Sequence, residues 1–377
     1  MSKKIKILHV LPNLSQGGAE KICRELLLKI DPEKFSSALL LFKDNNSVQV
    51  GREELLNNNI EIISLRKRCL FDLFNFWKII KAIKKYQPDI VHTHLGGDIY
   101  GRLAAKLVAV PIIVSTEHNL NNSERRLATI AKKITARYAT KIFAVSEAVK
   151  KDALKRYNIP TKKIEVIYNG IDITEFKANN FKTNDLKNDD LIVFGALGRL
   201  TEQKGFATLI EAAAQLKNKN YLLKIAGVGE LAEKLNKRIT ELGLNKQVQL
   251  VGAVKAADFL ASLDIFVFPS LWEGLGLAIL EAGALAKPVI ASDIDGIKEV
   301  LNDDNAWLFP AGEIDKLAAR MDFVMTNLES AAVKIKAEKL KNLINKHFNL
   351  DLMIEAYREW YEILLLEKSL IKNDVKK

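Results

Sequence analysis

Two carboxylates, Glu273 and Glu281, stand eight positions apart in the stretch SLWEGLGLAILEAGALAKPVIAS (Ser270–Ser292), separated by Gly274, Gly276 and an apolar run. On one unbroken helix they would lie two turns apart, about 12 Å along the axis, too far to act as a close pair. A helix that begins after the glycines leaves Glu273 in the loop and puts Glu281 in the second turn. Both can then face a ligand lying across the helix N-terminus, where unpartnered N–H groups attract anions. The same residues also fit a buried helix with a glycine entry turn and two solvated acids. A second loop, GRLTEQKGF, places Arg199 and Lys204 around a short turn that ends in Gly205. A planar guanidinium fork and an ammonium point charge suit a diphosphate, and a solvated turn is the alternative. A third loop, LPNLSQGGAEK, turns the chain at Gly17 and Gly18 before a helix, where backbone N–H groups approach a phosphate closely. A lone Gly-Gly is equally a tight turn. The dinucleotide fingerprint G-x-G-x-x-G is absent, since AGVGEL holds only two of its glycines, and this disfavours a nicotinamide enzyme.

Each loop must be held by a strand before it and a helix after it, and the chain alternates in that way throughout. Strands are predicted at Ile5–Leu11, Ser37–Phe42, Ile60–Leu65, Asp89–His92, Pro111–Thr116, Lys141–Val145 and Ile164–Tyr168. Helical patterns separate most of them, among them Ala19–Ile30, Leu70–Tyr86, Gly97–Ala109 and Asn122–Ala139. The segment ITEFKANNFKTNDLKNDD that follows YNGID is polar and has no period, so 171–190 reads as a linker. The alternation then restarts, with strands at Leu191–Leu197, Tyr221–Ala226, Val248–Val251, Ile265–Phe268, Pro288–Ala291 and Ala306–Leu308. Helices fall at Phe206–Leu216, Leu231–Leu242, Leu277–Leu285 and Ile297–Leu301, and from Ile314 onward all is helix. Near-continuous apolar strands point to parallel sheets covered on both faces. The fold class is therefore α/β, with two Rossmann-like halves facing a cleft. The domains are 1–170, the linker, 191–350 and a last helix over 351–377 that crosses back to the first. Ligands in such sheets bind beyond the carboxyl ends of the strands.

The chain has 377 residues and is 48% hydrophobic, enough for two cores. Its two cysteines, Cys23 and Cys69, exclude a disulfide framework or a cysteine-rich zinc site and fit a reducing cytosol. The apolar run of the N-terminus is cut by Lys6 and His9, so it reads as a strand rather than a signal peptide. No apolar run approaches the roughly 18 residues of a membrane span. The net charge of +11 is uneven. Residues 1–170 hold 30 Lys and Arg against 16 Asp and Glu, whereas the remainder holds 27 against 30. This points to an anionic surface or polymer meeting the N-terminal half.

GRLTEQKG, followed about 70 residues later by PSLWEGLGLAILEAGALAKPVIAS, resembles glycosyltransferase family 4, the retaining enzymes of GT-B fold. NLSQGGAEK and YNGID match that family as well, and the resemblance spans about residues 5–365. It implies that Arg199 and Lys204 neutralise a donor diphosphate, that Glu281 binds ribose hydroxyls and that Glu273 faces the hydroxyls of the donor sugar. It puts the backbone of Gly274, Leu275 and Gly276 against the phosphates, with Leu277 and Gly227 in the same donor-binding set and Gly17 or Gly18 reaching it from the other domain. His118, in STEHN, matches the histidine beside the reacting sugar. The implied reaction moves a sugar, with UDP as the expected nucleotide, to a hydroxyl of a lipid-linked or surface-polysaccharide precursor, such as a lipopolysaccharide or capsule precursor. It retains anomeric configuration and uses no metal or other cofactor. Two departures, Asp295-Gly296 for Gly-Gly and Lys287-Pro288 for Gly-Pro, put fine sugar contacts in doubt. Asp293 and Asp295 form a D-x-D string, which here reads as a solvated loop.

In this fold the acceptor belongs to the N-terminal domain, the basic half. With Phe71–Tyr86 as a helix at about 100° per residue, Lys78, Lys81, Lys84 and Lys85 share a sector of about 120° with Phe74 and Trp77, opposite Ile79, Ile80 and Ile83. Aromatics among lysines on an outward face fit a helix lying on an anionic membrane. RRLATIAKK (Arg125–Lys133) adds cations. A solvated basic face with Trp77 packed on a neighbour is the alternative. The expected location is the cytoplasm, with a peripheral position on the inner membrane surface. A GT-B epimerase or phosphorylase and a basic nucleic-acid-binding protein compete with the transferase. The two glutamates with Arg199 and Lys204 speak against an epimerase, and no nucleic-acid motif is present.

Overall fold

The structure is a computed structural model that describes residues 4–15, 17–43, 50–66, 72–120, 126–177 and 191–374. Cys69, the expected helix starts at Leu70 and Asn122, Phe71, Arg125 and most of the expected linker lie outside these residues. The chain forms two compact units, one of Met1–Asn169 with Asp351–Lys377 and the other of Gly170–Leu350.

The first unit holds a parallel sheet of seven strands: β1 (Ile5–Leu11), β2 (Phe35–Leu41), β3 (Glu61–Ser64), β4 (Ile90–His94), β5 (Ile112–Glu117), β6 (Lys141–Ala144) and β7 (Ile164–Val166). Their order is β3-β2-β1-β4-β5-β6-β7. Strand alternation sorts side chains onto two faces. Leu8, Val10, Ala38, Leu40 and Val91 pack with Ile79 and Ile83 of the helix Leu73–Tyr86 and with Ala104 and Ala105 of the helix Gly97–Leu107. Leu11, Leu39 and Leu41 face the other way, toward Cys23 and Leu27 of the helix Gly18–Lys29. The helix Gly97–Leu107 lies close on the sheet because a Cβ at Gly97 would stand 2.5 Å from the Val10 carbonyl oxygen.

The strand expected to end at His92 runs on to His94. Its last residues are polar, but burial and the ladder to β5 extend it: His94 pairs with Thr116. The helix expected over Leu70–Tyr86 is described from Leu73, where the Asp72 side chain accepts the Asn75 N–H and caps it. Helices at Arg52–Asn57, Glu147–Tyr157 and Ala256–Ala261 were not among those named from the sequence.

The second unit holds a six-stranded parallel sheet: β8 (Ile192–Leu197), β9 (Tyr221–Ala226), β10 (Val248–Gly252), β11 (Ile265–Phe268), β12 (Val289–Ser292) and β13 (Trp307–Phe309), in the order β10-β9-β8-β11-β12-β13. Its core joins Phe194, Leu223, Ile225, Val267 and Ile290 to Leu209, Ile210 and Met321 of the covering helices. Both units are thus α/β Rossmann-like domains of parallel sheet, the GT-B pattern. The start of the expected linker is ordered. Asp172 caps a short 3₁₀ turn over Ile173–Phe176, and the buried Phe176 ring fixes it.

Candidate active site

In the second unit, three loops at the carboxyl ends of β8, β9 and β11 are fastened to one another through the backbone. The loop after β8 carries Arg199 and Lys204, the loop after β9 carries Gly227, and the loop after β11 runs to the helix Leu277–Ala284 with Glu273 and Gly276. Gln203 ties the first to the third twice: its Nε2 donates to the Trp272 carbonyl at 2.9 Å, and its own carbonyl accepts the Leu271 N–H at 2.8 Å. Gly205, at φ +62°, leaves room for the Pro269 carbonyl oxygen, which a Cβ would meet at 2.0 Å. Gly227, at φ +143°, passes the Gly198 carbonyl oxygen, which a Cβ would meet at 1.8 Å. A side chain at either position would force the loops apart.

Within this frame Lys204 and Glu273 come together. The Lys204 ammonium donates to Glu273 Oε1, which also accepts from Ser270 Oγ at 3.2 Å. The ammonium lies 5.0 Å from the centre of the Phe268 ring. Glu273 and Glu281 are both buried, and Glu281 sits in the second turn of the helix that Gly276 opens at φ +81°. Arg199 is exposed. Leu275 is buried under the loop and Leu277 begins the helix. Gly296 supports the same loop, since a Cβ there would stand 2.2 Å from the Glu273 carbonyl oxygen. One glycine of the motif that departs from Gly-Gly therefore keeps a spatial reason. The Lys287 ammonium bonds the carbonyls of Ala261 and Leu263, 2.9 and 2.5 Å away, so that substitution serves packing. Asp293 is exposed and paired with Lys298 at 3.0 Å.

In the first unit, Gly17 and Gly18 open the helix Gly18–Lys29 after β1, and His118 follows β5. His118 joins three histidines that sequence reasoning missed. His118 Nε2 lies 3.1 Å from His94 Nδ1, and His94 Nε2 lies 3.2 Å from His9 Nδ1. His92 is held by Tyr361 OH at 2.6 Å on Nδ1 and by Thr116 Oγ1 at 2.8 Å on Nε2. Thr116 in turn meets Tyr357 OH at 3.0 Å. His9, His92 and His94 are fully buried. Burial lowers His9 to about 3 and His118 to about 4, and burial with the neighbouring imidazoles holds His92 and His94 well below the usual range. The signal was available: histidines two apart in β4, beside a histidine of β1, point to one sheet face.

Ring nitrogens of His9, His92 and His94 lie within 4.8 Å of one another, a spacing open to a metal ion. Their directions do not suit one. Both nitrogens of His92 are engaged by hydroxyls, and those of His9 and His94 point at each other rather than at a shared point.

The opposite face of the sheet buries a charge cluster. Arg102 donates to Glu117 Oε1 at 3.1 Å and to Ser115 Oγ at 2.6 Å, and Asp98 accepts from Thr93 Oγ1 at 2.8 Å. Burial pushes Asp98 up to about 7 against the pull of Arg102. Burial also works against the Glu117 charge, but Lys132 and Arg102 outweigh it and hold that carboxyl below its usual range.

The basic helix Leu73–Tyr86 exposes Phe74 and Trp77, 68% and 53% accessible, and buries Ile79 and Ile83. Lys78 covers the Phe74 ring at 4.4 Å and Lys81 the Trp77 ring at 3.7 Å. Trp77 is therefore not packed into a neighbouring element. Leu73 is exposed on the same helix. The helix Gly97–Leu107 packs between it and the helix Arg126–Ala136, which exposes Leu127, Ile130 and Ile134. Among the described residues no helix is long and apolar enough to cross a membrane.

Comparison with known proteins gives two family matches, to Glycosyltransferase Family 4 over residues 16–175 and to Glycosyl transferases group 1 over residues 177–342. The chain is 29% identical to the UDP-Gal:alpha-D-GlcNAc-diphosphoundecaprenol alpha-1,3-galactosyltransferase of Escherichia coli, over 97% of this chain and 98% of that one. It is 30% identical to the amylovoran biosynthesis glycosyltransferase AmsK of Erwinia amylovora, over 76% and 72%. Among solved structures, Anabaena HepE in complex with UDP and glucose shares the fold, with a TM-score of 0.84 at 20% identity over 95% of this chain and 99% of that one.

Proposed function

We propose, for a chain that belongs to the glycosyltransferases with a family 4 region followed by a group 1 region, that it moves a sugar from UDP to a hydroxyl of a lipid-linked or surface-polysaccharide precursor. The transfer retains anomeric configuration and needs no metal or other cofactor. The observation that carries the donor assignment is the fastening of three strand-end loops around Lys204 and Glu273. The E. coli relative, which uses UDP-Gal and a diphosphoundecaprenol-linked acceptor, supports the donor nucleotide and the acceptor class.

As the glycosidic bond breaks, negative charge grows on the leaving diphosphate. Lys204, Arg199, the N–H groups that open the helix Leu277–Ala284 and the backbone of Gly227 and Gly274–Gly276 stabilise it, a preorganised electrostatic effect. An incoming diphosphate competes with Glu273 for the Lys204 ammonium. Glu273 is then free to accept from hydroxyls of the donor sugar, while Glu281 accepts from the ribose. The acceptor hydroxyl attacks on the face the diphosphate leaves, and a phosphate oxygen takes its proton. His118 bonds the donor sugar.

The exposed aromatics under Lys78 and Lys81, with Lys84 and Lys85 on the same helix, support docking on an anionic membrane surface at the cytoplasmic face. The helix Arg126–Ala136 of the same unit also exposes Leu127, Ile130 and Ile134. The test of the main reading is incubation with a panel of nucleotide sugars. Slow release of UDP from one of them, accelerated by a diphosphate-lipid-linked glycan, is the expected result. No turnover of any nucleotide sugar would remove the reading.

A further inference from the structure

His9, His94 and His118 form a chain of imidazoles whose geometry is that of hydrogen bonds rather than of loose contact. The ring centres are 5.5 Å apart for His9 and His94 and 5.4 Å for His94 and His118. Each separation equals the N···N distance plus roughly one ring width, the most that these distances allow. The facing nitrogens therefore lie on the line between the ring centres, and an N–H on one side points straight at a lone pair on the other.

Burial keeps these rings neutral, so each carries one proton on one of its two nitrogens. Every link needs one donor and one acceptor. Only two arrangements satisfy both links: all three protons on Nε2, or all three on Nδ1. The far end of the chain decides between them. Cys23 Sγ lies 3.8 Å from His9 Nδ1, and burial raises the thiol well above its usual range, so it keeps its proton; with its S–H taken as the donor, it shares the His9 Nδ1 lone pair with the His94 N–H. His9 Nδ1 is then a lone pair. His94 must donate to it from Nε2, and His118 must donate from Nε2 to His94 Nδ1. What remains are two buried ring nitrogens without a hydrogen-bond partner among the described residues: His9 Nε2, whose N–H stays unpaired, and, at the near end, His118 Nδ1.

We propose that His94, His9 and Cys23 are positioning residues that fix His118 as the Nε2–H tautomer, leaving its Nδ1 as an acceptor for a sugar hydroxyl. The tautomer and the relay stand on this geometry alone, and only the hydroxyl as occupant rests on the glycosyltransferase reading. A nitrogen that can only accept selects a hydroxyl donor and rejects a carbonyl or phosphate oxygen at that point.

The chain has five histidines, so selective ¹⁵N-histidine labelling of the whole protein gives a readable ring spectrum. Expected in the wild type are Nε2–H tautomers for His118, His94 and His9. His94→Leu should replace the single His118 tautomer with an averaged pair of ring signals. His94→Asn, whose side-chain oxygen can accept in place of Nδ1, should restore it. Cys23→Ala keeps all three rings and carries the test if His94→Leu does not fold; it should populate the Nδ1–H set. A wild-type His118 protonated on Nδ1 overturns the proposal, and so does an unchanged His118 spectrum in folded His94→Leu or in Cys23→Ala. In turnover, His94→Leu should lower kcat about tenfold while UDP affinity holds, with His94→Asn within threefold of wild type. Wild-type protein that turns over no nucleotide sugar would defeat the functional reading while leaving the tautomer result intact.

Discussion

Lys204 answers to two demands at once. It balances the carboxylate of Glu273, which is buried, and under the proposed function it also holds the donor diphosphate. Lys204→Ala should therefore cut sugar transfer by about 10²–10³, the usual cost of losing one transition-state donor. It should also lower the melting temperature by several degrees, because among the described residues Ser270 is the one side chain left bonding Glu273. Arg199→Ala should show the rate loss without the stability loss, since Arg199 is exposed. Initial rates with the accepted nucleotide sugar, beside thermal melts of both variants, check this. Equal melting shifts in the two would contradict it. Glu281→Ala should weaken binding of free UDP, measured by calorimetry, and unchanged affinity would count against the ribose assignment. The residue types at these positions were legible in sequence because glycines and charges cluster in short loops. The contact between Lys204 and Glu273 was not, since 69 positions separate them and Gln203 sets their spacing through the backbone. The histidine chain stayed hidden for the same reason: His9 and His94 are 85 positions apart and meet only through the sheet.

At the scale of the element, β4 carries polar residues into the interior on both of its faces. His92 and His94 point one way, and Thr93 points to Ser115 and Asp98 on the other. Apolar runs located the strands, because sheets covered on both sides leave little polar signal within them. Where a strand ends in polar residues, as here, that signal stopped short. An unfolded chain protonates its histidines near the usual value, about 6.5, whereas the folded one holds His9, His92 and His94 neutral far below it. Their contribution is complete above about 6.5 and falls as the solution is acidified, by about 1.4 kcal/mol per pH unit for each. Asp98, raised to about 7, acts in the opposite sense and favours the fold as pH drops through that value, but it is one group against four, since His118 is lowered as well, to about 4. Denaturant midpoints should thus fall steeply between pH 6.5 and 4.5, and a flat profile would show that the histidines titrate normally in the fold. On the helix Leu73–Tyr86, Trp77→Ala with Lys81→Glu and Lys84→Glu should release the protein from anionic vesicles in co-sedimentation at moderate salt, while activity on a short soluble acceptor persists. A folded triple variant that still pellets would reduce the surface to a solvated face.

For the whole molecule, the informative feature is that the chain leaves the first unit after Asn169 and returns to it at Asp351. Where the outgoing and returning segments pass, Ile171 bridges Asn349, with bonds of 3.0 Å from the Ile171 N–H to the Phe348 carbonyl and 2.9 Å from the Leu350 N–H to the Ile171 carbonyl. Gly170 makes the passage possible, since a Cβ there would stand 2.2 Å from the Asn349 carbonyl oxygen. The YNGID segment, noticed first as a family feature, therefore has a packing reason. The returning helix brings Tyr357 and Tyr361 to Thr116 and His92. Tyr361→Phe should cost about 1 kcal/mol by removing one buried hydrogen bond, read as a small shift in denaturant midpoint, whereas a chain cut after Leu350 should not yield a folded first sheet. A ribosome emits the first sheet long before the helix that closes one of its faces. During synthesis of everything from Gly170 onward, His92 and Thr116 wait without their tyrosines. The order of manufacture thus inverts the order of completion: the domain made first is the one finished last, and until then it is the part of the nascent chain most in need of a chaperone.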